Sequence, residues 1–187
     1  VWQPVLEYFL PVQMCPMRVS EKYRVWHDMC HMDDAQMAHA HNHIDGYDQK
    51  EGNWKHKAGE LVEGVNVGGW HDAGDFGRYT TPAAVALAHL LYGYEMMPQV
   101  LKDELNIPES GNGIADILNE CRYELDWLLK MQKDDGSVYH KLTAISHPDF
   151  IMPENDRDQF YLFAPSSMAT ADFAAIMSVA SRVYADI

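Results

Sequence analysis

Hydrophobic positions fall into separate helical stripes joined by polar, glycine-bearing stretches. Trp2, Val5, Leu6, Phe9 and Leu10 recur at near-helical spacing, and Pro11 closes that segment. From about Asp33 to Glu63 no period survives. The histidines His39, His41, His43 and His56, with Gly46, Gly52 and Gly59, predict a long polar loop or insertion there. Thr81 as N-cap and Pro82 as first helical residue predict a helix over the apolar run Ala83 to Met97, ended by Pro98. Asn106 to Gly113 is a turn cluster. After it, Ile114, Ile117, Leu118, Cys121, Leu125, Leu128 and Leu129 predict one face of a long amphipathic helix, stopped by Asp134-Asp135-Gly136. Residues 136–165 show no clean period and are expected to be loop with short strand pairs. Ser166 or Ser167 caps a last helix with Ala169, Phe173, Ile176, Met177, Ala180 and Tyr184 on its apolar face. Strands do not alternate with helices, and no phosphate-binding glycine loop precedes a helix.

Charge and composition narrow the partners. A net charge of -14 argues against nucleic acid or an anionic membrane, because either demands a basic face. A hydrophobic fraction of 47% over 187 residues suits one folded unit with a sizeable core. No apolar run approaches the roughly 20 residues of a membrane span. Residues 1–14 carry no signal-peptide pattern. Three cysteines cannot all pair within the chain, which points to metal binding or buried thiols. An apolar helix running up to Ile187 reads as a chain continued elsewhere.

The densest chemistry lies in Gly68-Gly69-Trp70-His71-Asp72-Ala73-Gly74-Asp75. Two close carboxylates can share the work of activating a water, one taking its proton and the other orienting it. Asp and Gly also abound in calcium loops and solvated turns, so a calcium site at Asp72 and Asp75 is an alternative. Cys15, Cys30, His31 and His71 amount to a full tetrahedral zinc set, although their spacing is not that of a zinc finger. Two buried thiols and unrelated histidines are the plainer reading of the same residues. Glu109, Asn112 and Asp116 are oxygen ligands around a glycine turn and suit calcium; an ordinary helix N-terminus is the preferred alternative. Trp70, beside the carboxylates, is the better candidate for stacking on a sugar ring, and Trp127 at helical spacing reads as core. Cys121 reads as a core thiol.

The segment from Gly68 to Asp75, continued by Phe76-Gly77-Arg78-Tyr79, resembles the signature of glycoside hydrolase family 9, the inverting cellulases and related β-glucan hydrolases. The similarity runs on collinearly through Cys30-His31-Met32-Asp33-Asp34-Ala35, Ile107-Pro108-Glu109-Ser110-Gly111-Asn112-Gly113, Trp127-Leu128-Leu129-Lys130-Met131-Gln132, Asp135 to Lys141 and Ala169 to Ala175. The resemblance implies an all-α fold, an (α/α)6 barrel whose loops line an open cleft, of which residues 1–187 form the N-terminal part of one catalytic domain. It implies Asp75 as general base and Asp72 as its assistant in positioning the water. It further implies a structural zinc held by Cys15, Cys30, His31 and His71, a calcium site at Glu109, Asn112 and Asp116, and sugar contacts from His140. The family's general acid is a glutamate with no counterpart in this chain, so it is expected in the C-terminal remainder of the barrel. The implied partner is a β-glucan, met outside the cell or at its surface. A carbohydrate-binding module that has lost catalysis and a metal-stabilised structural domain are the competing classes; retention of both aspartates argues against the former.

Overall fold

The computed structural model describes residues 2–14, 16–37, 43–44, 47–48, 60–100 and 102–187, with backbone alone at 36–37, 43–44, 47–48 and 100. Four helices and two small sheets make up the described chain. Helix α1 covers Trp2–Phe9 and tightens into a 3-10 turn at Leu10–Val12, where Pro11 lacks the amide an α-helix would need. Strands β1 (Gln36–Met37), β2 (His43–Ile44) and β3 (Tyr47–Asp48) follow, the last two forming an antiparallel pair. Strand β4 (Arg78–Tyr79) leads directly into helix α2 (Thr80–Met96). Helix α3 is Asp116–Lys130, β5 is Lys141–Thr143, β6 is Tyr161–Leu162 and α4 is Ser167–Val183.

The predicted helices form where the stripes lie. Helix α2 begins at Thr80, two residues ahead of Pro82, and ends before Pro98. Its start is fixed by the sheet: the Thr80 amide donates to His140 O and its hydroxyl to Tyr139 O at 2.8 Å. Ser166 caps α4, its Oγ accepting from the Ala169 amide. Helix α3 buries Ile117, Leu118, Cys121, Leu125 and Leu128 as expected. Leu129 is a correction: it is 54% exposed, because the buried stripe turns toward Trp127 instead.

The short strand pairs expected in 136–165 are present, and they recruit a partner that periodicity did not show. The larger sheet runs in the order β1-β6-β5-β4. Strand β4 pairs antiparallel with β5, setting Arg78 against Leu142 and Tyr79 against Lys141. Alternation sends Arg78 and Leu142 into the core, both 0% exposed. The next residues back along β4 are the loop that carries the acids. Helices α1, α2 and α3 pack around one apolar core, and α4 lies along α2. No helix among the described residues is long and apolar enough to cross a membrane.

One glycine sets how closely this loop approaches α3. Gly69 has φ +84°, and a Cβ there would lie 2.7 Å from Trp127 Cδ2. Both the backbone conformation and the space demand glycine. Gly69→Ala is expected to destabilise the fold by about 2–3 kcal/mol. Urea unfolding checks this, and a loss below roughly 0.5 kcal/mol would contradict it.

Candidate active site

The acidic loop is a closed turn mounted on a buried frame. Its entry is bridged to the end of the 3-10 turn: the Met14 amide donates to Gly69 O at 2.8 Å and the His71 amide to Val12 O at 2.9 Å. Its neck is closed by the Asp72 amide donating to Gly77 O at 2.8 Å, with Phe76 N donating to Ala73 O inside. Phe76 adopts φ 53°, a left-handed conformation unusual for a bulky residue. Its burial holds it there, and the reversal leaves Asp72, Ala73 and Gly74 exposed at the tip with Asp75 half-buried behind them.

Arg78 fastens both ends of this loop. Its guanidinium is 0% exposed, donates to Gly68 O at 2.7 Å and Asn66 O at 3.0 Å, and pairs with Asp34. It also lies 5.9 Å from the Trp127 ring centroid. Helix α3 takes hold of Trp70. Glu124 accepts the Trp70 amide at 2.6 Å, and Glu120 accepts the indole N–H at 2.8 Å together with the Gln13 side-chain amide at 3.0 Å.

The two aspartates face one cleft of about 480 Å³, lined by Asp72, Ala73, Gly74, Asp75, Tyr79, His147 and Pro148. Asp75 Oδ2 accepts from the Tyr79 hydroxyl, whereas Oδ1 is buried with no hydrogen-bonding partner in the protein. Partial burial, and then the Asp75 charge, push the Asp72 carboxyl up from its ordinary range. Like charges held this close resist joint ionisation. The arrangement offers one anchored carboxylate with a free oxygen and a second carboxyl beside it, which suits activation of a water.

The remaining expected site residues are distributed differently. Trp70 is 6% exposed, its ring packs 4.6 Å from Phe9 and its N–H is held by Glu120, so it braces the loop; with Phe9, Asp72 and Tyr79 it also lines a second, smaller pocket. His140 sits half-buried with Nδ1 3.4 Å from Ser166 Oγ, and burial and the Lys141 charge lower its pKa. The cleft of the aspartates is lined by His147 instead, a residue without local sequence signal.

Of the four expected zinc ligands, Cys15 lies outside the described residues, as do His39 and His41. Cys30, His31 and His71 are all buried. The His71 and His31 rings pack 5.5 and 5.9 Å from Phe76. Neither ring nitrogen of His71 has a hydrogen-bonding partner, and burial, with the His27 and His31 charges, lowers its pKa to about 3. His31 Nδ1 lies 3.5 Å from Asp34 Oδ1. Among the described residues, no three or more His, Cys, Asp or Glu side chains converge as a metal site.

The turn expected to hold calcium is organised by its own amides. Asp116 Oδ2 accepts from Leu105 N at 2.5 Å and Ser110 Oγ at 2.7 Å, while Asn112 Oδ1 accepts from Ile114 N. Asp103, not singled out by sequence, accepts from Gly111 N and Gly113 N at 2.6 Å. Glu109 is exposed.

Known proteins resemble this chain along most of its length. The family model described as Glycosyl hydrolase family 9 matches residues 6–187. A cellodextrinase of Butyrivibrio fibrisolvens is 52% identical over 131 residues, covering 67% of this chain and 24% of the relative. The crystal structure of a metagenome-derived glycoside hydrolase family 9 endoglucanase superposes with TM-score 0.83 at 36% identity, over 99% of this chain and 32% of that one. A Zn-binding triple mutant of the family 9 endoglucanase J30 superposes with TM-score 0.81 at 35% identity, over 98% of this chain and 33% of that one. The chain thus spans about a quarter to a third of the length of these relatives.

The carboxyls beneath Trp70 generate a pH dependence. Desolvation raises Glu120 to about 7 and Glu124 to about 8, against 4.5 for an ordinary glutamate. Between these limits the folded chain keeps protons that the unfolded chain releases. Stability therefore falls as pH rises from about 4.5 to about 8, and is flat in this respect below that window. Glu124→Gln keeps an acceptor for the Trp70 amide and removes one titrating group. Its urea midpoint is expected to decline less than the parent's between pH 5 and pH 8; parallel declines would contradict the assignment.

Proposed function

This chain belongs to glycosyl hydrolase family 9, and on that footing we propose that it is the base-bearing part of an enzyme that hydrolyses β-1,4-glucosidic bonds in cellulose or a related β-glucan with inversion. The observation that carries the proposal is Asp75, with Oδ2 anchored and a buried Oδ1 without a protein partner, in a cleft shared with Asp72. In this reading Asp75 removes a proton from a water as its oxygen attacks the anomeric carbon. Asp72 accepts a hydrogen bond from the water's remaining O–H and holds it in line. The bond to the leaving oxygen breaks as a carboxylic acid protonates it. Inverting enzymes keep acid and base roughly 6.5–9.5 Å apart to admit the water. The acid is proposed to come from the C-terminal remainder of an (α/α)6 barrel, beyond residues 1–187, and the enzyme to act outside the cell or at its surface.

The same reading gives Cys15, Cys30, His31 and His71 a structural zinc. Support comes from His71, a buried imidazole kept neutral, as a ligand must be, with ring nitrogens that no protein group engages. The carboxylate of Asp34 beside His31 is the partner that commonly orients a ligating ring. With four protein ligands the metal has no open position, so it supplies a cross-link and takes no part in bond cleavage. Calcium at Glu109, Asn112 and Asp116 is the lesser part of the proposal: Asp116 Oδ2 and Asn112 Oδ1 already accept from backbone amides, and Asp116 Oδ1, buried with no hydrogen-bonding partner, is the oxygen it would take.

Two outcomes follow for the complete enzyme. Asp75→Asn is expected to lower kcat on a soluble β-glucan by about 10²–10⁴-fold with little change in KM, measured as reducing sugar released. Turnover within about twofold of the parent would contradict the role. Purified protein should carry one zinc per chain, and chelation should lower its Tm, whereas His71→Ala should start with a lower Tm and no longer respond to chelator. Protein without zinc, or an unchanged Tm after its removal, would contradict the metal assignment.

A further inference from the structure

We propose that Tyr79 is the positioning residue of the Asp75 carboxylate, and that Gly77 and Thr143 are the parts of the sheet that allow it to act. The inference rests on Asp75 as the base. Its origin is the pairing of β4 with β5. Tyr79 stands opposite Lys141 and Arg78 opposite Leu142, so one further step brings Gly77 opposite Thr143. Side-chain alternation then puts Tyr79, Gly77, Lys141 and Thr143 on one face of the sheet.

The Tyr79 ring lies across Gly77. A Cβ on Gly77 would meet Tyr79 Cε2 at 2.5 Å and the phenolic oxygen at 2.7 Å, so only glycine permits this approach. The Lys141 ammonium, on a residue 3% exposed, lies 5.5 Å from the ring centroid. The ring is thus held in place by backbone, cation and sheet. Its hydroxyl donates to Asp75 Oδ2 and lies 3.3 Å from Thr143 Oγ1. Because the phenolic proton points to the carboxylate, the Thr143 hydroxyl donates to the phenolic oxygen. The chain of donors runs from Thr143 through Tyr79 to Asp75.

This explains how a carboxylate at the foot of an exposed loop acquires a fixed orientation. Asp75 sits one residue before the left-handed Phe76, and no hydrogen bond among those described within the turn engages its carboxylate. The phenol occupies Oδ2 and stops rotation of the carboxylate plane, leaving Oδ1 for the water. Tyr79 also lines the cleft, so it stands between the base and the sheet that supports it.

The test is a double-mutant cycle in the complete enzyme, using Tyr79→Phe, Asp75→Asn and their combination on a soluble β-glucan. Tyr79→Phe should lower kcat about ten- to hundredfold, with KM within about twofold and an unchanged Tm. In the Asp75→Asn background the same substitution should cost nothing further, because the group it orients is gone. Thr143→Val should give a smaller loss, about two- to fivefold, confined to kcat. A Tyr79→Phe enzyme with parental kcat, or one losing the same factor in both backgrounds, would overturn the inference. If Tyr79→Phe does not fold, Thr143→Val with parental kcat overturns it equally. Loss of activity in Asp75→Asn with none in Tyr79→Phe removes this inference alone, whereas parental activity in Asp75→Asn removes the base assignment as well.

Discussion

The buried Arg78 guanidinium is the interaction on which the candidate site depends. An uncompensated charge there would cost several kcal/mol, so Asp34 and the carbonyls of Asn66 and Gly68 must stay where they are. Those carbonyls belong to the entry of the acidic loop, and Arg78 itself belongs to its exit. One side chain therefore closes a loop whose tip is exposed and free of regular structure. Asp34 extends the constraint to His31, tying the segment around the expected metal ligands to the same cation.

The other supports follow from that closure. With the loop ends fixed, Trp70 is driven onto α3, where its amide and indole N–H are buried and need acceptors. Glu124 and Glu120 provide them, and protonation lessens the cost of burying two carboxyls side by side. Gly69 allows the backbone to reach Trp127, and Gly77 allows the Tyr79 ring to reach Asp75. The frame is buried, while Asp72 is exposed at the cleft and Asp75 half-buried behind it. That contrast lets a mobile-looking sequence, rich in glycine, hold two acids in a defined relation.

Much of this was legible in the chain before the structure. The helices follow from their stripes and caps, because burial of one face is a local pattern. Asp72 and Asp75 stood out because acids beside glycines are poor core material. The collinear family resemblance, which the family match bears out, added fold and roles that spacing alone leaves open. What escaped depended on contacts far apart in sequence. The pairing of β4 with β5 joins residues near 78 and 142 through strands of two and three residues, too short for any period. The hold of α3 on Trp70 runs through Glu120 and Glu124, 50 and 54 residues along the chain, where no local pattern joins them. Glu120 and Glu124 did carry a signal: they sit at i+3 and i+7 from Ile117, inside the apolar stripe, where an acid needs a reason. His147 reaches the cleft only through the folding of the 144–160 segment.

The central claim is that Asp75 acts on water and not on the sugar itself. Proton NMR of the complete enzyme during early hydrolysis of a β-1,4-glucan reads this directly from the first anomer released. Attack by a water held on Asp75 gives the α-anomer before mutarotation. Initial release of the β-anomer would mean retention through a covalent intermediate, and would contradict the role assigned to Asp75.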